Sequence, residues 1–123
     1  MDEPPPSDPN RRSHERHEVT WAVDCEAADT FLYASIRNIS AMGIFVLTKT
    51  PLDVGTVLTL RFTPPQTMGA SFVLQGRVQW VNPLRPRGDD LNPGMGVSFI
   101  NLSPDERERL VELVHTIAYL RDE

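Results

Sequence analysis

The sequence predicts an all-β domain of six short strands, a barrel or sandwich, closed off by one C-terminal amphipathic helix. Three observations carry this reading. Apolar and polar residues alternate along several short segments, the period of two that marks half-buried strands. Clusters of Pro, Gly, Asn and Asp separate those segments. Only the last stretch of the chain changes to the three-to-four residue spacing of a helix.

Residues 1–10, MDEPPPSDPN, contain four prolines and almost no apolar side chain, so they read as a disordered or extended leader to a single domain over residues 11–123. Val19, Trp21, Val23 and Cys25 alternate with polar neighbours and define the first strand. Phe31–Ile39 forms the second, and Gly43–Thr48, with Ile44, Phe45, Val46 and Leu47, the third. Pro51 to Gly55 is a turn leading into the fourth strand, Val57–Phe62. Pro64 and Pro65 cannot continue a hydrogen-bonded ladder. Ala70–Val81 is then a long fifth strand with a bend expected at Gly76, residues 83–94 a polar loop, and Met95–Ile100 the sixth strand. Ser103-Pro104-Asp105-Glu106 has the form of a capping box with Pro at the first helical position. Leu110, Leu113, Val114 and Ile117 give the helix over 104–121 its apolar stripe, to lie on the β domain. Val111, Ala118 and Leu120 widen that stripe into an edge able to dock a partner or a second copy.

A chain of 123 residues suits one domain. No apolar run is long enough to cross a bilayer, and the acidic, Pro-rich start is no signal peptide. A single cysteine, Cys25, excludes an intrachain disulfide and fits a reducing compartment, so a cytoplasmic protein is expected. The net charge of −5 argues against DNA or RNA as a partner over a broad surface. Eleven of the twelve basic residues are nevertheless Arg, and Arg11, Arg12 and Arg16 form a positive island just ahead of the first strand. The planar guanidinium grips phosphate or a guanine edge through two hydrogen bonds, so the island suits a small anionic ligand.

Two motifs stand out. Arg12-Ser-His-Glu-Arg16 has the form RxxxR, and Asn38-Ile-Ser40-Ala-Met-Gly43 the form NxSxxG. The first enters strand one; the second spans the turn between strands two and three. Arg12 and Arg16 offer forked donors to phosphate oxygens or to guanine O6 and N7, and can stack on a purine. Asn38 and Ser40 carry the donors and acceptors that orient a base edge or phosphate. Gly43, lacking a Cβ, is free to take a positive φ and approach a ligand closely. Glu15 places a carboxylate between the two arginines, where it can pair with either.

With these motifs the sequence resembles the PilZ domain family, which carries an RxxxR segment before its first strand and a [D/N]xSxxG box a hairpin later. Gly76-Arg-Val-Gln-Trp80, Gly94-Met-Gly-Val-Ser-Phe99 and the Ser-Pro-Asp-Glu helix start extend the similarity over about residues 11–120. The resemblance implies a six-stranded antiparallel barrel with a C-terminal helix that binds cyclic di-GMP, often as a stacked dimer. Arg11, Arg12 and Arg16 would contact guanine and phosphate, and Asn38, Ser40 and Gly43 would complete the site. Trp80 matches a strand tryptophan that stacks on the ligand in part of the family; packing on the barrel is its other reading.

Other constellations carry less. His14 and His17 form an HxxH, but one cysteine and no matched carboxylate spacing leave no expected metal site, and no cofactor beyond the ligand is implied. Ser40 has no neighbouring base, and Asp89 and Asp90 read as solvated loop acids, so no enzymatic activity is expected. The expected function is a stand-alone cyclic di-GMP receptor or adaptor that changes its surface on binding and signals to a partner protein. The alternative is a nucleotide-independent interaction module on the same fold, for example in motility or polarity regulation.

Overall fold

The computed structural model describes residues 15–83 and 92–121. The leader expected over 1–10, Arg11, Arg12 and most of the 83–94 loop lie outside the described residues. Six strands, β1 (His17–Glu26), β2 (Phe31–Ile39), β3 (Gly43–Leu47), β4 (Val57–Phe62), β5 (Phe72–Asn82) and β6 (Gly94–Ile100), precede one helix, α1 (Pro104–Arg121). The Pro64-Pro65 break becomes a single 3-10 turn over Pro65–Thr67. The strands close into a barrel in the order β1-β2-β3-β6-β5-β4, every pair antiparallel. A barrel, not a sandwich, is therefore the outcome. Closure gives every strand two hydrogen-bonded neighbours.

The period-two signal sets the inside. Val23, Cys25, Ile36, Ile44, Val46, Leu58, Leu60, Leu74, Val78, Met95 and Val97 point inward and are almost fully buried. Burial pushes the Cys25 thiol up from its ordinary 9.0 to about 12, with the adjacent Asp24 charge adding to the rise.

Strict alternation fails at three places. Register shifts fall between Glu18 and Trp21 in β1, between Ile36 and Asn38 in β2, and between Val78 and Trp80 in β5. The irregularity in β5 therefore lies beyond Gly76, which pairs regularly with Leu58 and Phe99. Each extra residue reverses the facing of the residues beyond it.

The closing pair is short. β1 and β4 bond only from Asp24–Glu26 to Thr59–Arg61, and α1 packs against β1 and the 3-10 turn. Most of a helix's stability in a folded protein comes from tertiary packing of its apolar face. Burial of Leu110, Leu113, Val114 and Ile117, worth about 1.5–3 kcal/mol each, holds this one in place. Its start is the expected capping box: Ser103 N–H donates to Glu106 Oε1 at 2.9 Å, and Glu106 N–H to Ser103 Oγ at 3.1 Å. The barrel also absorbs Ala118 from the widened stripe, while Leu120 and its neighbour Tyr119 stay exposed.

Candidate ligand-binding groove

The three bulges gather on one outer face. Across it runs a continuous register: Glu18 opposite Asn38, Asn38 opposite Phe45, Phe45 opposite Gly96, and Gly96 opposite Trp80. In unbroken alternation Asn38 would follow Ile36 into the core and Trp80 would follow Val78. The bulges turn both outward. A groove of about 640 Å³ lies along this row, lined by Glu18, Val19, Thr20, Arg37, Asn38, Phe45, Trp80, Asn82 and Asn92.

The aromatic end of the groove depends on a missing side chain. Trp80 folds over Gly96 and stacks on Phe45, ring centroids 5.4 Å apart and planes 17° from parallel. A Cβ at position 96 would collide with the indole. Trp80 is left 48% exposed while Phe45 beneath it is only 9% exposed, so the indole presents a supported outer surface. Beside it, Asn82 Nδ2 donates to the carbonyl of Asn92 at 2.8 Å, tying together the two ends of the 83–94 loop.

At the opposite end, Arg16 Nη1 donates to Asn38 Oδ1 at 2.9 Å. This contact joins one residue from each sequence motif across 22 positions of chain. Partial burial lowers the Arg16 pKa, yet a guanidinium remains charged at any physiological pH.

Ser40 and Gly43 do not line the groove; they build the turn that holds Asn38. Ser40 N–H donates to the Gly43 carbonyl at 2.9 Å, and Ser40 Oγ accepts from Met42 N–H at 3.1 Å. The Met42 carbonyl accepts from Phe99 N–H at 2.9 Å, fastening the turn to β6. Ser40 is 2% exposed. Gly43 does not take the positive φ expected of it; among described glycines only Gly55 and Gly69 do. Its requirement is steric, because a Cβ there would run into the Val97 carbonyl oxygen of β6. Of the seven residues expected at the site, the structure thus brings Arg16, Asn38 and Trp80 to the groove and gives Ser40 and Gly43 a supporting place. Arg11 and Arg12 lie outside the described residues.

Sequence reasoning missed Arg37, Phe45, Asn82 and Asn92. Phe45 sits inside the apolar run Ile44–Leu47, and nothing in that run marks it as outward. The one available signal was Gly96, since a glycine inside a strand flags a close approach. Among the described residues no group of His, Cys, Asp or Glu is placed to hold a metal ion, and no helix is long and apolar enough to cross a membrane.

A barrel of this order, with one C-terminal helix and the Arg16–Asn38 contact beside its groove, defines a class. The profile of the PilZ domain matches residues 10–116, and the chain belongs to that family. The PilZ domain of YcgR from Escherichia coli, solved with c-di-GMP, superposes with a TM-score of 0.71 at 16% identity, covering 90% of this chain and 94% of that one. The Bacillus subtilis inhibitor of motility, MotI/DgrA, gives a TM-score of 0.72 at 15% identity over 88% of this chain; the match spans 51% of its own length, so this chain corresponds to about half of it. The PilZ domain of CeSA from a cellulose-synthesizing bacterium gives 0.65 at 16% identity, covering 85% of this chain and 98% of that one. At such identities the likeness is one of fold. No curated protein sequence matches the chain significantly.

Proposed function

We propose that this protein is a cyclic di-GMP receptor without catalytic activity that acts on a partner protein. The observation that carries the reading is the Arg16–Asn38 hydrogen bond, which joins both motifs at the edge of a groove whose other end is the Trp80 surface. A guanine can stack on an indole, and forked arginine donors suit its O6 and N7 edge or a phosphate. Binding of c-di-GMP by the YcgR domain of like fold supports the choice of ligand. Arg11 and Arg12, next to Arg16 in sequence, would add charge to that end, and binding would change the face presented to a partner. The inhibitor of motility among the similar structures supports a role in motility control.

A second reading has its own observation. Tyr119 and Leu120 are 61% and 55% exposed at the end of α1, which favours a nucleotide-independent interaction module. Calorimetric titration with cyclic di-GMP separates the two. The receptor reading expects micromolar or tighter binding that is lost in the Arg12→Ala/Arg16→Ala double variant. A flat trace from folded wild-type protein rejects it in favour of the interaction module.

A further inference from the structure

We propose that Arg37, a residue outside both motifs, is a direct cationic contact for a phosphodiester of the bound nucleotide. The inference deepens the receptor reading and rests on it. In plain alternation only one of Arg37 and Asn38 could face outward, and the β2 bulge turns out both. Arg37 consequently lies beside Asn38 on the floor of the groove, across from the bulged Val19 and Thr20 of β1. It is the one cation among the described residues lining that groove, whose one carboxylate, Glu18, lies opposite Asn38.

Its state differs from that of the other well-placed arginines. Arg16 is hydrogen-bonded to Asn38, Arg61 lies 3.7 Å from Glu26, and Arg109 is held by the Ser71 carbonyl and the Phe72 ring. Arg37 makes no hydrogen bond or ion pair among the described residues. It is exposed and lines the groove.

The layout of the groove indicates which part of a nucleotide it meets. The Trp80 ring lies over Gly96 of β6, so two strand spacings, about 10 Å, separate it from β2. That is the scale of a nucleotide from base to phosphate. With a base on the outer face of Trp80, the phosphate reaches the β2 end, where Arg37 lines the groove and Arg16 holds Asn38. A carbonyl-rich or neutral ligand would leave the Arg37 charge unused.

The test is titration with cyclic di-GMP of wild type, Arg37→Ala and Arg37→Lys, at about 50 and 200 mM salt. We expect Arg37→Ala to bind roughly tenfold more weakly or worse, with a flatter salt dependence. Arg37→Lys should return to within about threefold of wild type, because phosphate accepts a point charge where a guanine edge requires the fork. Melting should be unchanged in both variants, since the side chain is exposed. If wild type binds and Arg37→Ala binds equally well, the inference falls while the receptor reading stands. If Lys is as poor as Ala, the phosphodiester assignment is wrong. A wild type that does not bind overturns the receptor reading and this inference together.

Discussion

The groove face and the seam covered by α1 are built by opposite rules. On the groove face three strands carry bulges, polar side chains sit half-buried, and one large aromatic remains outside. At the seam, where β1 and β4 part, Trp21 stacks on Phe62 at 6.1 Å and Phe62 on Phe72 at 5.4 Å. The Arg109 guanidinium caps the row 4.3 Å above the Phe72 ring, while its Nη2 donates to the Ser71 carbonyl at 3.2 Å. Every ring in that row is buried. The seam follows the alternating pattern and the groove breaks it. Regular packing holds the barrel together; departures from it place chemistry on the surface.

The largest expected effect tests the seam. Phe72→Ala removes a central ring and the support of Arg109, and should cost about 3–5 kcal/mol in urea unfolding. Cyclic di-GMP affinity, measured at a temperature where the variant is folded, should change little. A large loss of affinity with small loss of stability would erase the distinction between the two regions.

A middling effect tests the groove. Gly96→Ala drives a methyl into the Trp80 indole and should cost about 1–3 kcal/mol, as overpacking does. Here the affinity should fall along with the stability, and the Trp80 indole N–H signal should shift by NMR while that of Trp21 stays. An unmoved Trp80 signal would mean that Gly96 does not set the aromatic end.

The effect that is smallest near neutral pH, because it sets in only above pH 9, is the pH response of the core that both regions share. Because the folded Cys25 pKa is raised from 9.0 to about 12, the neutral thiol is favoured by folding. Its contribution is fully present below pH 9 and is lost as pH climbs toward 12, at most about 1.4 kcal/mol per pH unit. A Cys25→Ala variant should lack that alkaline component in unfolding measurements. In the wild type the thiol should stay unreactive to disulfide reagents at pH 8 until the protein unfolds. Rapid labelling of folded protein would show that the core opens.

Most of the barrel was legible in the chain because its elements are local. Val19 to Cys25 alternates, Pro64 and Pro65 interrupt, and Ser103 with Glu106 announces the helix, all through interactions within a few residues. The candidate site was legible only where it was written as a motif. Arg16 and Asn38 could be paired on paper, and the structure brings them within hydrogen-bond distance. Phe45 could not be assigned, since an apolar residue in an apolar run gives no sign of its facing. Gly43 was placed in the right turn, but without the positive φ: it makes room for a neighbouring strand at an ordinary φ.

By itself, then, the sequence determined the order and type of the elements, the inward faces of the regular strands, the cap of α1 and the two motifs. Local hydrogen bonding and side-chain periodicity act within a few residues, so a linear reading captures them. Only the tertiary structure decided that β3 lies beside β6 and that Gly96 therefore sits between Phe45 and Trp80. It also decided that Arg37, Asn38 and Trp80 share one outer face. A bulge exists only between paired strands, and one extra residue reverses every facing beyond it. That information belongs to the pairing, which no single segment contains.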